Sequence, residues 1–262
     1  MSIVIITGAS SGMGYEMTLQ LDRIFQKTDE FWLIGRNIDK LNELKGRIRN
    51  RARCMSMDLS QDASFSQFEE ILKSENPDVR MLVNAAGFGY MGDVTDIPWK
   101  AQAEMVRVNC EALTKVTTIC LPYLIRNARI IQFASSASFM PQPGFAVYAA
   151  SKAYVNSYSR ALNEELRKKS IYVTSVCPGP VETNFFVRGE KYGKTLDIKK
   201  YFMASPQDVV SLAIKDSYYK KPVSVYSFPL KMFKLATDFL PDGLSLLAVR
   251  FVKMMGNTND IQ

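Results

Sequence analysis

Histidine is absent from this chain of 262 residues, and cysteine is scarce. Without an imidazole the sequence excludes serine–histidine–aspartate triads, cysteine–histidine pairs and every histidine-ligated metal site. The cysteines form no CxxC pair, which argues against a zinc or redox motif and favours a reducing, cytoplasmic setting. They are Cys54, Cys110, Cys120 and Cys177. Acid–base chemistry must therefore use tyrosine, lysine, cysteine or a carboxylate, and we predict no metal site.

Long apolar runs and basic stripes are absent as well. No uncharged apolar run approaches the ~20 residues needed to cross a bilayer. No basic segment of the kind found in signal peptides precedes the first apolar run. The net charge is +7, but the lysines and arginines are scattered. We interpret them as a solvated surface and predict no nucleic-acid partner, with a basic nucleic-acid-binding protein kept as an alternative.

Strand-length apolar runs alternate with helical patterns along most of the chain. The predicted strands cover residues 3–6, 31–34, 53–57, 81–83, 130–134 and 172–176. The predicted helices cover residues 13–25, 39–48, 63–74, 98–121 and 146–168. Strands separated by helices of this length indicate βαβ units. We therefore predict one α/β domain over residues 1–262, a doubly wound parallel sheet with helices on both faces.

A glycine-rich turn, TGASSGMG, follows the first predicted strand at residues 7–14 and leads into a predicted helix. Gly8 permits a tight turn, Gly12 permits close approach of a phosphate, and Gly14 permits close packing of the helix on the strand. The helix N-terminus then offers free N–H groups and the positive end of its dipole. This GxxxGxG turn predicts the binding of a nucleotide pyrophosphate.

The chain resembles the short-chain dehydrogenase/reductase family over about residues 2–183. The GxxxGxG turn is similar to that family's cofactor motif, and the NAAG at residues 84–87 resembles its NNAG motif with a change at the second position. The YAASK at residues 148–152 matches its YxxxK motif, and the PG at residues 178–179 matches its PG motif. The match is specific because the four motifs occur in the family's order, each beside the expected strand or helix.

The YxxxK spacing also carries its own chemistry. Tyr148 and Lys152 are four residues apart, which places them on one face of a helix. A lysine ammonium beside a phenol stabilises the phenolate, so we expect the pKa of Tyr148 to fall from about 10 toward the working pH. Such a tyrosine is a usable acid or base in a protein without histidine. The alternative is two surface residues on an amphipathic helix.

The resemblance implies an oxidoreductase with a single-domain Rossmann-type fold, which transfers a hydride between a nicotinamide cofactor and a carbonyl or secondary alcohol. Tyr148 would exchange the proton, Lys152 would also hold the nicotinamide ribose, and Ser135 would polarise the substrate oxygen, with Ser136 as an alternative. Asn109 would support a water-linked proton path to the lysine. The implied cofactor residues are Gly8, Ser10, Ser11, Gly12, Met13, Gly14, Arg36, Asp58, Asn84, Ala85, Gly87, Tyr148, Lys152, Pro178, Gly179, Val181 and Thr183.

The residues after the second predicted strand bear on the choice of cofactor. An acid there would bond the adenosine ribose and select NAD. The sequence instead has Arg36, with no acid before Asp39. An arginine can pair with a 2′-phosphate through two hydrogen bonds, so we predict NADP(H) in preference to NAD(H). The alternative is a solvent-facing Arg36 that caps the turn.

Two segments lie beyond the motifs. Residues 184–204 combine aromatic side chains with Gly189 and Gly193, which predicts a hinged apolar lid and a lipophilic substrate, with a poorly ordered loop as the alternative. Residues 229–256 show two amphipathic helical patterns broken at Pro241, with basic residues beside them. We expect these to pack on the core or on a second subunit, in preference to peripheral contact with an anionic membrane. The family resemblance implies a homodimer or homotetramer.

A second hypothesis is a non-catalytic NADP-binding or regulatory protein on the same fold, because a fold alone does not define a function. A protein that only binds the nucleotide has no need of a complete serine, tyrosine, lysine and asparagine set. The sequence therefore favours the enzyme, and leaves its substrate and direction open.

Overall fold

The fold is built on a parallel sheet in a computed structural model that describes residues 1–25, 30–183, 185–193 and 203–239. In these ranges the strands are Ser2–Thr7 (β1), Glu30–Gly35 (β2), Ala52–Ser56 (β3), Asp78–Asn84 (β4), Leu124–Phe133 (β5), Tyr172–Val176 (β6) and Val223–Ser224 (β7). Their order across the sheet is β3-β2-β1-β4-β5-β6-β7, and all neighbouring pairs are parallel. The predicted Rossmann-type sheet is confirmed.

Helices connect these strands. In the same ranges they are Gly12–Ile24 (α1), Ile38–Lys45 (α2), Asp62–Glu75 (α3), Trp99–Val106 (α4), Leu113–Cys120 (α5), Ala146–Leu166 (α6), Phe185–Gly189 (α7), Pro206–Tyr218 (α8) and Phe228–Phe239 (α9). A π-helical turn, Arg107–Ala112, joins α4 to α5. Short 3₁₀ turns occupy Leu121–Tyr123, Ser136–Phe139 and Arg167–Lys169. None of the described helices is long and apolar enough to span a membrane.

The strands are apolar on both faces because each face of the sheet packs against helices. Ile3 and Ile5 belong to one buried cluster with Trp32, while Val4 and Ile6 belong to the cluster on the opposite face with Phe31. Continuous β-branched runs are typical of parallel strands buried on both sides. This packing explains why β1 reads as an uninterrupted apolar segment in the sequence.

The order of the strands reverses at β1, which lies between β2 and β4. Thr7, the last residue of β1, pairs with Ile34 on one side and Asn84 on the other. In open α/β sheets ligands bind at such a switch point, outside the carboxyl ends of the strands. The ends of β1, β2 and β4 therefore mark where a ligand site is expected.

Three details differ from the sequence prediction. The helix predicted over 39–48 ends at Lys45. The strand predicted at 130–134 begins earlier, at Leu124, where it pairs with Val79 of β4 ahead of a shift in register; Asn127, within the shifted stretch, has a φ of +65°. The helix predicted over 98–121 is interrupted by the π-helical turn. The sequence patterns also did not predict α8 or β7.

Candidate active site

The glycine-rich turn forms an open cradle at the N-terminus of α1. Gly8 and Gly12 have φ values of +68° and +57°, which favour glycine. A Cβ on Gly8 would lie 2.7 Å from the Ala86 nitrogen, whereas one on Gly12 would meet only Thr183, at 3.8 Å. A Cβ on Gly14 would collide with the Gly8 carbonyl oxygen.

The first turn of α1 contains no acidic residue, and the Ser11 side chain makes no capping hydrogen bond. The N–H groups of this turn are therefore available to an anion, and the open side of Gly12 leaves room beside them. These properties fit the pyrophosphate of a dinucleotide.

Tyr148 and Lys152 lie on α6 and are both buried, with 7% and 6% of their surfaces exposed. The Tyr148 ring stacks on Phe145 with centroids 4.2 Å apart. The Lys152 ammonium donates a hydrogen bond to the Phe133 carbonyl oxygen at 2.8 Å and lies 5.7 Å from the centre of the Tyr148 ring. The two side chains share one helix face, as the spacing predicts.

Burial dominates the protonation of this pair. It raises the pKa of Tyr148 to about 12 and lowers the pKa of Lys152 to about 8. The expected fall in the pKa of Tyr148 is therefore wrong for this structure, in which the ammonium is bonded to a carbonyl oxygen. At neutral pH the phenol keeps its proton, and the lysine is close to the pH at which it loses its charge.

Ser135 lies at the end of β5, where it caps the Ser136–Phe139 turn by accepting a hydrogen bond from the Ala137 N–H at 3.1 Å. A hydrogen-bonding interaction of its side chain with Tyr148 opposes the effect of burial and lowers the pKa of the phenol. Ser136 borders the same cavity, and its backbone N–H donates a hydrogen bond to the Pro178 carbonyl oxygen at 2.8 Å, but among the described residues its side chain makes no hydrogen bond to Tyr148. The interaction with the phenol supports the assignment of Ser135 over Ser136.

Asn109 is fully buried within the π-helical turn. Its carboxamide accepts a hydrogen bond from the Phe88 N–H at 3.0 Å and donates to the Phe88 carbonyl oxygen at 2.8 Å. It also donates to the Ser151 hydroxyl at 3.0 Å, which in turn donates to the Tyr148 carbonyl oxygen at 2.7 Å. Asn109 therefore ties the loop after β4 to the helix that carries the tyrosine. Its part in a water-linked proton path stays a prediction.

The NAAG segment has two distinct environments. The Asn84 amide donates hydrogen bonds to Thr117 and Gln132, each at 3.0 Å, inside the sheet. Its side chain therefore holds β4 and β5 together, and cofactor contact by Asn84 stays a prediction. Gly87 lets the backbone after β4 lie close to the side chains of Asn109 and Lys152. A Cβ on Gly87 would lie 3.0 Å from the Asn109 amide oxygen and 3.3 Å from the Lys152 ammonium.

A cavity of about 140 Å³ brings together many of the predicted residues around Tyr148 and Lys152. The predicted residues that line it are Met13, Ala85, Gly87, Ser135, Ser136, Tyr148, Lys152, Pro178, Gly179, Val181 and Thr183. The cavity is also lined by residues that the motifs did not predict, namely Phe133, Ala134, Ala137, Gln142, Phe145 and Pro180. Phe185, from the predicted lid, completes the wall.

Ser10, Arg36 and Asp58 lie away from this cavity, near the ends of β1, β2 and β3. A Cβ on Gly35 would lie 3.2 Å from the Ser10 hydroxyl oxygen, so the turn after β1 touches the end of β2. Arg36 is exposed. A hydrogen bond from the Ser60 backbone and the positive charge of Arg36 lower the pKa of Asp58. The three predicted residues therefore border one edge of the dinucleotide crevice.

The predicted lid begins and ends beside β6 and packs on the loop after β4. Val181 and Ala204 form a parallel bridge, and Met91 donates a backbone hydrogen bond to Gly189 at 2.8 Å. A Cβ on Gly193 would lie 2.9 Å from the Gly92 Cα. Close packing is therefore a second explanation for the glycine at this position, beside the predicted hinge.

The aromatic side chains of the predicted lid contact Tyr148 and the loop after β4. Phe185 lies 5.3 Å from the Tyr148 ring, and Tyr192 lies 5.2 Å from Tyr90. The predicted lid residues Tyr201 and Phe202, and the Phe186 side chain, lie outside what the structure describes.

The first of the two predicted C-terminal helices is α9, which packs against the PG motif. A Cβ on Gly179 would lie 2.8 Å from Leu230, and the Phe233 ring lies 6.3 Å from Phe139. The opposite side of α9 leaves Phe228 and Phe239 exposed by 73% and 81%. The second predicted helix, and Leu240, lie outside the described residues.

The sequence did not predict two residues that position the Tyr148 side chain. A Cβ on Gly89 would lie 2.5 Å from the Tyr148 ring, so only glycine fits beneath that ring. Ser151 carries the link from Asn109 to the Tyr148 backbone. Gly89 is two residues beyond the NAAG segment, and that proximity is the one signal that could have identified it.

Fold and site together define a dinucleotide-binding α/β protein with a buried tyrosine–lysine pair. The family profile described as short chain dehydrogenase matches residues 2–191, and the chain belongs to that family. The family and its fold support oxidoreductase chemistry with a nicotinamide cofactor.

Similar proteins come from bacteria and fungi. An uncharacterized oxidoreductase of Staphylococcus epidermidis is 30% identical over 183 residues, which cover 69% of this chain and 78% of that protein. A very-long-chain 3-oxoacyl-CoA reductase of Pyrenophora tritici-repentis is 30% identical over 66% of this chain and 52% of its own length, so the match spans about half of that enzyme. The structure of a short-chain dehydrogenase from Sphingobium yanoikuyae in complex with NADPH has a TM-score of 0.76 at 22% identity, covering 100% of this chain and 97% of that one.

Proposed function

We propose that this protein is an NADP(H)-dependent reductase of lipophilic carbonyl compounds, with Tyr148 as the proton donor. The observation that carries the proposal is the convergence of Ser135, Tyr148 and Lys152 on one cavity at the carboxyl edge of the sheet. The open cradle at Gly12 lies at the same edge.

The protonation of the pair favours reduction as the direction. When bound, the nicotinamide supplies the hydride. The phenol of Tyr148, with a pKa of about 12, holds its proton at neutral pH and can pass it to a carbonyl oxygen. The Ser135 hydroxyl stands beside the phenol and can orient and polarise the same oxygen. Lys152, still charged below pH 8, adds a positive field that lowers the barrier to that transfer.

The test of catalysis is a comparison of Tyr148→Phe with the parent protein. Phenylalanine keeps the stack on Phe145 and removes only the hydroxyl. We expect turnover of a ketone panel, followed by NADPH absorbance, to be abolished while NADPH affinity stays within a few-fold. Activity close to that of the parent would refute the role of Tyr148. NADPH binding by the parent without any turnover would favour the non-catalytic alternative.

The preference for NADP(H) is supported by Arg36, which is exposed beyond β2 with no acid before Asp39. We expect Arg36→Asp to lower the preference in kcat/KM for NADPH over NADH by roughly 10- to 100-fold, because it replaces a phosphate partner with a repelling charge. Arg160→Asp, which makes the same change on the exposed side of α6, is the matched control. A parent protein that already prefers NADH would overturn this part of the proposal.

The lipophilic character of the substrate is supported by the aromatic wall of the cavity, which Phe133, Phe145 and Phe185 contribute. A homo-oligomer is supported by the exposed apolar side of α9, because exposed apolar patches often mark sites of interaction with another protein. Analytical ultracentrifugation of the full chain decides between a dimer or tetramer and a monomer.

A further inference from the structure

Gln142 stands on a rigid turn between the catalytic serine and the catalytic tyrosine. Its carbonyl oxygen accepts a hydrogen bond from the Phe145 N–H at 3.0 Å, which closes the turn over Pro143 and Gly144. Gly144 has a φ of +79°, as the third position of a type II turn requires. The Gly144 carbonyl oxygen in turn accepts from the Gly92 N–H at 2.8 Å. The turn that carries Gln142 is therefore held by two backbone hydrogen bonds, one within it and one to the loop after β4.

The side chain of Gln142 differs from its neighbours in the cavity. It lines the same space as Ser135 and Tyr148 and is half-buried. Within the part of the chain that the structure describes, its carboxamide has no hydrogen-bond partner. The aromatic rings of Phe145 and Phe185 line the same cavity. Closing a lipophilic ligand over an amide without a partner leaves a polar group desolvated, which is costly.

A carboxamide offers two N–H donors and one acceptor oxygen, so it can bond a carbonyl or a hydroxyl of a ligand. Because the backbone of Gln142 is fixed, only its side chain has to be ordered to make that bond. Ser135 and Tyr148 already account for the reacting oxygen. The bonding capacity of Gln142 is therefore left for a different oxygen of the same substrate.

We propose that Gln142 is a specificity-determining residue that hydrogen-bonds a second oxygen of the substrate, close to the carbonyl that is reduced. The substrate class is then an apolar chain that carries a ketone and, near it, an ester, thioester or amide carbonyl. This inference rests on the proposed reductase function and specifies that its substrate carries a second carbonyl near the ketone.

Two compounds of equal chain length isolate that second oxygen. Ethyl 3-oxooctanoate and 6-undecanone place the ketone at the same position of a chain of equal length, and only the ester has the further carbonyl. We compare the ratio of their kcat/KM values between the parent and Gln142→Leu, since the ratio of ratios cancels the higher intrinsic reactivity of the ester. We expect this ratio to fall about tenfold, through a higher KM for the ester, with 6-undecanone unchanged or improved.

Two further variants keep the test specific. Gln142→Met keeps the length of the side chain and serves if the leucine variant folds poorly. Gln142→Asn, which retains the carboxamide, should restore part of the preference for the ester. A ratio that is the same in the parent and in the leucine and methionine variants overturns the inference while leaving the reductase function intact.

Binding without turnover separates this inference from the proposed function. Isothermal titration of each compound into the full chain with NADP⁺, which has no hydride to transfer to a ketone, gives the same comparison without any reaction. If the parent reduces neither compound, the proposed function fails. The role of Gln142 then stands if the parent binds the ester more tightly and Gln142→Leu loses that preference, and it falls if the two affinities are equal.

Discussion

Replacing Lys152 with methionine should stabilise the protein while it destroys activity. The ammonium is buried, and its pKa falls from the usual 10.5 to about 8 because charge is disfavoured in that environment. The difference corresponds to roughly 3 kcal/mol of destabilisation of the charged native state at neutral pH. Methionine fills a similar volume without a charge.

The gain in stability is partly offset, because the variant also loses a stabilising hydrogen bond of Lys152. Its hydrogen bond to the Phe133 carbonyl oxygen, at 2.8 Å, is lost in the variant. Leaving that oxygen without a partner costs about 1 kcal/mol. We therefore expect the free energy of unfolding to rise by about 2 kcal/mol at pH 7, which raises the melting temperature by roughly 4–8 °C in a chain of this size.

The dependence of the stability difference on pH identifies the buried charge of Lys152 as its cause. Below pH 8 the lysine is charged in both the folded and the unfolded protein, so the full penalty applies. Between pH 8 and 10.5 the unfolded state binds more protons than the native state, so the stability of the parent rises with pH and the advantage of the variant shrinks.

Urea denaturation at pH 7 and at pH 10 measures the gain in the free energy of unfolding and its decrease with pH. Lys215→Met, on the exposed side of α8, is the control and should change neither. A Lys152→Met variant that is no more stable than the parent at pH 7, or whose advantage is the same at pH 10, would refute the reasoning.

Three further outcomes are expected. Ser135→Ala should lower kcat roughly 100-fold and Ser136→Ala only a few-fold, measured by NADPH oxidation; the reverse order would reassign the role. Gly14→Ala should cost about 1–3 kcal/mol in urea denaturation and weaken NADPH binding, since the new methyl group meets the Gly8 carbonyl oxygen; a variant as stable as the parent would contradict that contact. Deletion of residues 229–262 should change the oligomeric state and weaken substrate binding, whereas salt-sensitive flotation of the full chain with anionic liposomes would instead indicate membrane contact.

The sequence predicted the elements whose signals are local. The strand β1 and the turn that follows it carry local signals, a β-branched run and three glycines, so both could be located without knowledge of the distant residues that pack on them. The sequence also contains a local signal for the start of α8. Ser205 accepts a hydrogen bond from the Asp208 N–H at 3.1 Å, and the SPQD spacing is that of an N-terminal cap.

The sequence did not predict how deeply side chains are buried or which distant segments of the chain are in contact. The spacing of Tyr148 and Lys152 predicted their shared helix face but not their pKa values, which depend on how many atoms surround them. Gly89 and Gln142 matter because loops far apart in the chain meet at the tyrosine, and no periodic pattern records such a meeting. Helical periodicity also could not show that the chain from Trp99 to Cys120 contains an irregular turn.

That irregular turn limits which insertions and deletions this protein tolerates. A π-helical turn holds one residue more than an α-helical turn, so α4 and α5 are offset by about 100° relative to a continuous helix. Deleting one residue between Arg107 and Ala112 would restore a regular helix and rotate one flank against the other. Either Asn109 would leave the Phe88 loop, or Leu113 would leave its buried contacts. The spacing of this segment is therefore fixed as strictly as that of the YxxxK motif, although no sequence motif marks it.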